Sequence, residues 1–296
     1  MIKFLFEVQV VLTVIYGIIF MLGTMGNVAV IVHYTRKIIK ERNRSNLTKY
    51  LIVNLAVADF IASFTVPIGM IQDIWSLYNW HLGEVSCKLI TPLYIISLGC
   101  SIWTMLAIAL ARYRAISYPF KSTKPSKTII LSTISGTWVF TILASFPYAY
   151  TLRFDAKAYY QCTSYWSEKP YFKYFLIFYI VTIFVPTLTI AYFFTCCYIK
   201  IKENTMRLKS LGDPKIQKQR LNRDRRRNRL FIAIVGVFTL LITPYWLFYL
   251  VYTYINAYRS DLMGDPIIYF GSNYGLFTLA TFNSVVNPFI YAKIRR

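Results

Sequence analysis

Charge is scarce in this chain. Only 15% of its 296 residues are Asp, Glu, Lys or Arg, against about 25% in soluble globular domains, so an ordinary cytosolic domain is excluded. Acids number 12 and histidine occurs twice, as His33 and His81. The sequence therefore offers no His/Asp/Glu cluster for metal or general acid–base chemistry, and an enzyme is not expected. Five cysteines are too few for a disulfide-stapled miniprotein. What abounds is apolar: 56% hydrophobic and 18% aromatic residues, with a mean hydropathy of +0.46. That excludes intrinsic disorder. The net charge of +21 would suit a nucleic-acid partner, but the apolar content points away from one.

Seven apolar stretches are long enough to span a bilayer, which takes about 20 helical residues. They lie near 8–34, 48–75, 86–115, 127–150, 171–202, 222–252 and 267–291. None alternates as a barrel strand does. Pro67, Pro92, Pro147, Pro186, Pro244 and Pro288 fall inside them, where a membrane helix accepts a kink. Buried helices of a large soluble protein are the competing reading, and seven such spans with short polar connectors argue against it. The expected fold is an all-α membrane protein, one bundle of seven transmembrane helices covering 1–296.

The basic residues are sorted by side. The connectors 35–47 (with Lys49), 112–127, 200–229 and 293–296 hold 26 of the 33 Lys and Arg and four of the 12 acids. The opposite set holds seven of each. Lys and Arg next to spans mark the cytoplasmic face, so the N-terminus is expected outside and the C-terminus in the cytoplasm. Anionic lipid would attract that basic face. The first span is too long for a signal peptide, and the Asn46-Leu47-Thr48 sequon is expected to stay silent inside. No internal repeat supports a transporter of paired halves. Cys87 and Cys162 fall on the outer side, where oxidising conditions allow a bridge. Cys100, Cys196 and Cys197 read as packing residues within spans.

Asp59 is the one acid near the middle of a span, and a charge at that depth is a functional signal. Asn27, Ser101, Asn283, Ser284 and Asn287 could surround it. Carboxylate, hydroxyl and amide oxygens suit a small hard cation and ordered water; a polar core around a protonated Asp59 is the alternative. Arg112, at the inner end of span three, reads either as a side chain snorkelling to headgroups or as a charged latch.

Each span also carries a short signature. These are Gly26-Asn27, then Asn54-Leu55-Ala56-Val57-Ala58-Asp59, Trp80-His81-Leu82-Gly83 ahead of Cys87, and Ala111-Arg112-Tyr113 with Tyr118-Pro119. Trp138, Pro186, Phe238 with Pro244, and Asn287-Pro288-Phe289-Ile290-Tyr291 follow. In this order, one per span, they resemble the rhodopsin-like (class A) G-protein-coupled receptors over nearly the whole chain. The resemblance implies a multi-pass plasma-membrane receptor. It implies an outer Cys87–Cys162 disulfide and an allosteric sodium pocket of Asp59, Ser101, Asn283 and Asn287, with no other cofactor. Pro186, Ile102 and Phe238 correspond to a packed triad that relays ligand binding, and Arg112 and Tyr291 to groups that rearrange when the cytoplasmic side opens to a heterotrimeric G protein. Departures are present too. Ala111 replaces the acid that usually precedes the Arg, leaving Asp224 as the expected remaining partner of Arg112, unless it only balances its basic neighbours. Ile242 replaces a Trp, with Trp246 one turn above on the same face, and Phe194 replaces a Tyr.

Ligand classes are then narrowed by resemblance. Tyr94, eighteen residues before Arg112, replaces the Asp of amine receptors, and Thr281 replaces the Lys that holds retinal. The outer half offers Tyr94, Phe178, Tyr245, Trp246, Tyr249 and Phe277, aromatic faces with polar tips. Gln72, Asp73 and the outer-loop acids Asp155, Glu168, Asp261 and Asp265 lie above. With the Thr65-Val66-Pro67 kink and the Trp80–Gly83 motif, this points to an extracellular neuropeptide, basic and amidated, within the peptide-receptor branch. Ordinary span packing and interfacial belts are the bland account of the same rings. A non-signalling receptor of the same fold, and a channel or carrier, remain competing classes. Because the usual outer tail and inner helix flank the spans in this family, a longer natural chain is expected.

Overall fold

Inside a bilayer no water is available to satisfy backbone N–H and C=O groups, so these apolar stretches must close their own hydrogen bonds as helices. The computed structural model describes residues 2–40, 47–76, 80–118, 126–155, 161–164, 169–209, 214–259, 262 and 266–294. Side chains are described there except at 2–5, 76, 155, 161, 163–164, 169–170, 204–209, 214–235, 266–268, 270 and 293–294.

The elements run α1 (Ile2–Lys40), α2 (Leu47–Ser76), α3 (Gly83–Ser117), α4 (Lys127–Thr151), β1 (Leu152–Asp155), β2 (Gln161–Ser164), α5 (Lys169–Tyr179), a π-helical turn (Ile180–Phe184), α6 (Val185–Lys209), α7 (Pro214–Tyr258) and α8 (Pro266–Ile294). The α5–π–α6 run is one continuous span, so these elements make seven. Among the described residues six stretches are long and apolar enough to cross a membrane. The seventh predicted span falls on α8, where Asn283, Ser284 and Asn287 dilute the apolar run. Span six lies on α7, whose described side chains begin at Gly236; Gly236–Tyr258 is long and apolar enough to cross a membrane.

The helices close a ring of which α3 is part, with α4 packed on its outer side. α1 packs on α2 and α8, α8 on α7, α7 on α6, α6 on α3, and α3 on α2 and α4. Close approaches use small residues, as membrane interfaces do. A Cβ added at Gly23 would meet Ser63 Oγ at 2.3 Å, and one at Gly99 would meet Thr141 Cγ2 at 3.0 Å. Hydroxyls within the spans donate one turn back, Thr65 to Ile61 O and Thr141 to Thr137 O for example. Their polarity is thus spent locally.

Proline shapes span five. Pro186 has no N–H and crowds the carbonyl four residues earlier. The chain answers with the π turn, closed by Val185 N–H donating to Ile180 O. Beyond α4, β1 and β2 pair antiparallel with Phe154 opposite Cys162, a hairpin the sequence reading did not foresee. Cys162 is bonded to Cys87 at the top of α3, with their Cα atoms 5.8 Å apart. Ahead of α3, Gly83 turns the chain at φ +81°, and Trp80 folds back to donate to Ser86 Oγ at 2.8 Å.

Candidate functional site

Among the described residues one hollow lies at mid-depth in the bundle and another above it. At mid-depth, α2 presents Asp59, only 1% exposed. Asn283, Ser284 and Asn287 share the face of α8 set by their spacing. Ser101 Oγ donates to Asp59 Oδ1 at 3.0 Å, Ser284 Oγ to the same oxygen at 3.5 Å, and Asn287 Nδ2 to Oδ2 at 2.7 Å. Asn27 Nδ2 ties α1 to α8 by donating to Ser284 O at 3.0 Å. Every donor to Asp59 is neutral, and among the described residues no Lys, Arg or His pairs with it.

A cavity of about 10 Å3 adjoins this carboxylate, lined in part by Ser63, Ser101, Asn283 and Ser284. That is at the lower limit for one water-sized guest. Ser63 Oγ and Asn283 Oδ1 are buried there with no hydrogen-bond partner. One carboxylate with hydroxyl and amide oxygens matches a monovalent hard cation better than a divalent one, which gathers more carboxylates. Among the described residues no trio of His, Cys, Asp or Glu comes together. The donor set therefore fits the sodium expected from the sequence, with Ser63 as a contributor the sequence reading passed over.

The upper cavity measures about 310 Å3. Of the eight residues expected to meet a ligand, Asp73, Tyr94, Phe178, Tyr245, Trp246, Tyr249 and Phe277 line it, and Gln72 does not. The rings interlock. Tyr245 and Phe277 lie 5.1 Å apart, as do Tyr94 and Phe277, and Phe178 sits 6.4 Å from Trp246. Among the described residues Asp73 is the one carboxylate lining this cavity, and it forms no hydrogen bond or ion pair there. The Trp246 indole N–H is buried without a partner. Sequence reasoning missed Trp80, Tyr148, Phe175, Tyr269, Asn273 and Tyr274, which also line the wall. Helical periodicity carries a signal for four of them. Phe175 stands three residues before Phe178; Tyr274, Asn273 and Tyr269 stand three, four and eight before Phe277.

At the other end of the bundle Arg112 is half-buried on α3. Tyr291 is 5% exposed, its ring 6.4 Å from Tyr34 and its hydroxyl unpartnered. Ile102, Pro186 and Phe238 are all buried. So are Ile242 and Trp246, one above the other on α7. The side chain of Asp224 lies outside the described residues, as do those of Asp155, Glu168, Asp261 and Asp265.

Residues 26–291 match the model of the 7 transmembrane receptor (rhodopsin family). The chain is 25% identical to the tachykinin-like peptides receptor 86C of Drosophila melanogaster, over 96% of its own length and 56% of that protein's. It therefore spans little more than half of that relative. It is 28% identical to the gonadotropin-releasing hormone receptor of Octopus vulgaris, over 94% of this chain and 69% of the other. Among solved structures it resembles squid rhodopsin, with a TM-score of 0.76 at 21% identity, covering 98% of this chain and 83% of that one.

Proposed function

The chain belongs to the rhodopsin family of 7 transmembrane receptors, and from that premise we propose that it is a cell-surface receptor for a basic peptide, which it reports to a heterotrimeric G protein. The observation that carries the ligand class is Asp73. A carboxylate set among aromatic walls without a partner is costly, and a ligand that brings a Lys or Arg cation removes that cost. The surrounding Tyr and Trp faces add cation–π attraction. A cavity of about 310 Å3 admits the tip of a peptide rather than the whole, leaving the rest to the hairpin and outer connectors. The Drosophila relative is named for tachykinin-like peptides and the Octopus one for a releasing hormone, which supports the same class.

Signalling needs only a ligand that binds the active arrangement better than the resting one. Moving the population from 1:99 to 99:1 takes about 5.5 kcal/mol of differential binding. Tyr245 and Trp246 follow Pro244 directly on α7, so pressure on their rings acts at the kink. The inner half of α7 then swings outward and uncovers Arg112. A sodium ion bound at Asp59 would supply a positive charge that holds α2, α3 and α8 together at rest, with Ser63, Ser101 and Asn283 as oxygen donors and Asn287 fixing the carboxylate. A receptor that captures its ligand without signalling is the second reading; Ala111, Ile242 and Phe194 favour it.

Both are tested with purified receptor, G protein and a library of basic peptides. Ligand-dependent nucleotide exchange is expected; specific binding without exchange would establish the second reading. Asp73→Asn should weaken an active peptide about tenfold or more, corresponding to roughly 1.4 kcal/mol. Replacing the peptide's critical Arg or Lys by Gln should cost the same, and the two losses should not add. Equal affinity for wild type and variant would remove the basis for the basic-peptide assignment.

A further inference from the structure

The two hollows are stacked along α3, and one residue, Tyr94, belongs to both linings. It stands seven residues before Ser101, two turns or about 10 Å along the helix and on the same face. Asp73 lines the upper hollow and Asp59 the lower one, so the Tyr94 ring stands on the wall shared by two anionic sites. Phe277 holds that ring edge-on at 5.1 Å and leans in turn on Tyr245 at 5.1 Å.

A cation reaching Asp59 needs a path. Towards the inner end, the amide of Asn287 is bonded to the carboxylate and Asn27 is bonded to α8, with Tyr291 buried below. Towards the outer end lies the 310 Å3 cavity. An ion entering from there must shed water to fit about 10 Å3, and the π-face of Tyr94 offsets part of that loss as the ion passes.

We propose that Tyr94 is the shutter of a cation path from Asp73 to Asp59, and that a ligand seated in the outer cavity closes it by pinning the ring and placing its own positive charge at Asp73. The proposal rests on the reading of the Asp59 hollow as a cation site. It makes Tyr94 a positioning residue that acts on the rate at which the ion exchanges.

Sodium-23 relaxation on the purified chain in lipid nanodiscs measures the exchange, with Asp59→Asn as the blank. Tyr94→Ala should exchange sodium about tenfold faster, equivalent to roughly 1.4 kcal/mol off the barrier. Tyr94→Phe, which keeps the ring, should stay slow. Phe277→Ala leaves Tyr94 in place but removes its support and should also speed exchange, so it decides the matter if Tyr94→Ala does not fold. L-argininamide, a small cation used as the cavity probe, should slow exchange in the wild type and not in Tyr94→Ala. If Asp59→Asn abolishes the sodium signal while Tyr94→Ala and Phe277→Ala exchange at the wild-type rate, the shutter is wrong and the cation site stands. If the wild type shows no sodium signal above the blank, the cation site falls and the shutter with it.

Discussion

Adjacent residues on a helix point about 100° apart, which is why Asp73 lines the cavity and Gln72, its neighbour, does not. Sequence position alone gives both equal standing. Asp59 was legible for the opposite reason: a carboxylate in an apolar span is tolerated only where other helices bring it donors, and polar residues in spans three and seven were the candidates. Less legible is a second polar cluster, because it holds no ionisable residue to mark it in an apolar span. Asn54 Oδ1 accepts from Trp138 Nε1 at 2.8 Å, while Asn54 Nδ2 donates to Thr104 Oγ1 at 2.8 Å. Trp138 stood out only as the signature of span four. The cluster fastens α2 to α3 and α4. Trp138→Phe would leave the Asn54 carbonyl without that donor, at a cost of about 1 kcal/mol for a bond between membrane helices. A lower melting temperature with ligand affinity unchanged is the expected result, read by thermal denaturation in nanodiscs. An unaltered melting temperature would show that the bond contributes nothing measurable.

At the scale of elements, all seven spans were expected from apolar length, six of them pass as long and apolar enough among the described residues, and the interior prolines raised the expectation of kinks. What the sequence left open was how each proline would be absorbed. Pro67 and Pro244 sit inside continuous α-helices, whereas Pro186 follows a π turn, and nothing local to the residue distinguishes these outcomes. The hairpin was hidden for a related reason: strands of four residues are too short for alternation to register. The π turn has a functional consequence. It inserts one extra residue into span five, which sets the rotation of α5 and aims Phe175 and Phe178 into the cavity. Pro186→Ala restores an N–H that can bond to Thr182 O, relaxing the turn to α-helix and rotating α5 by about 100° relative to α6. Peptide affinity should fall about tenfold or more as those two rings leave the wall. Saturation binding on folded, disulfide-intact protein measures it. Retained affinity would mean that the turn is held by packing around Thr182 and Ile183 rather than by the proline.

For the whole molecule, apolar length specified a bundle but not which helices would be central. α1 and α4 are as apolar as α2 and α3, yet α1 and α4 expose most of their surface to lipid while α2 and α3 are largely buried. The distinction lies in the small and polar residues through which α2 and α3 meet their neighbours, Ser63 against Gly23 and Gly99 against Thr141 among them. Orientation is a separate matter, set by charge rather than packing. The connectors on one side carry 26 of the 33 basic residues, and each resists translocation across the membrane. The Cys87–Cys162 disulfide lies at the opposite end. Two acceptor sites therefore should behave oppositely in a glycosylating cell. The natural sequon at Asn46 lies on the basic side and should remain unmodified, and a sequon-bearing tag placed ahead of Met1 should be glycosylated, as read by a mobility shift removed by endoglycosidase. Modification at Asn46 with an unmodified tag would invert the molecule. It would put Arg112 on the outer face, and no path to a cytoplasmic G protein would remain.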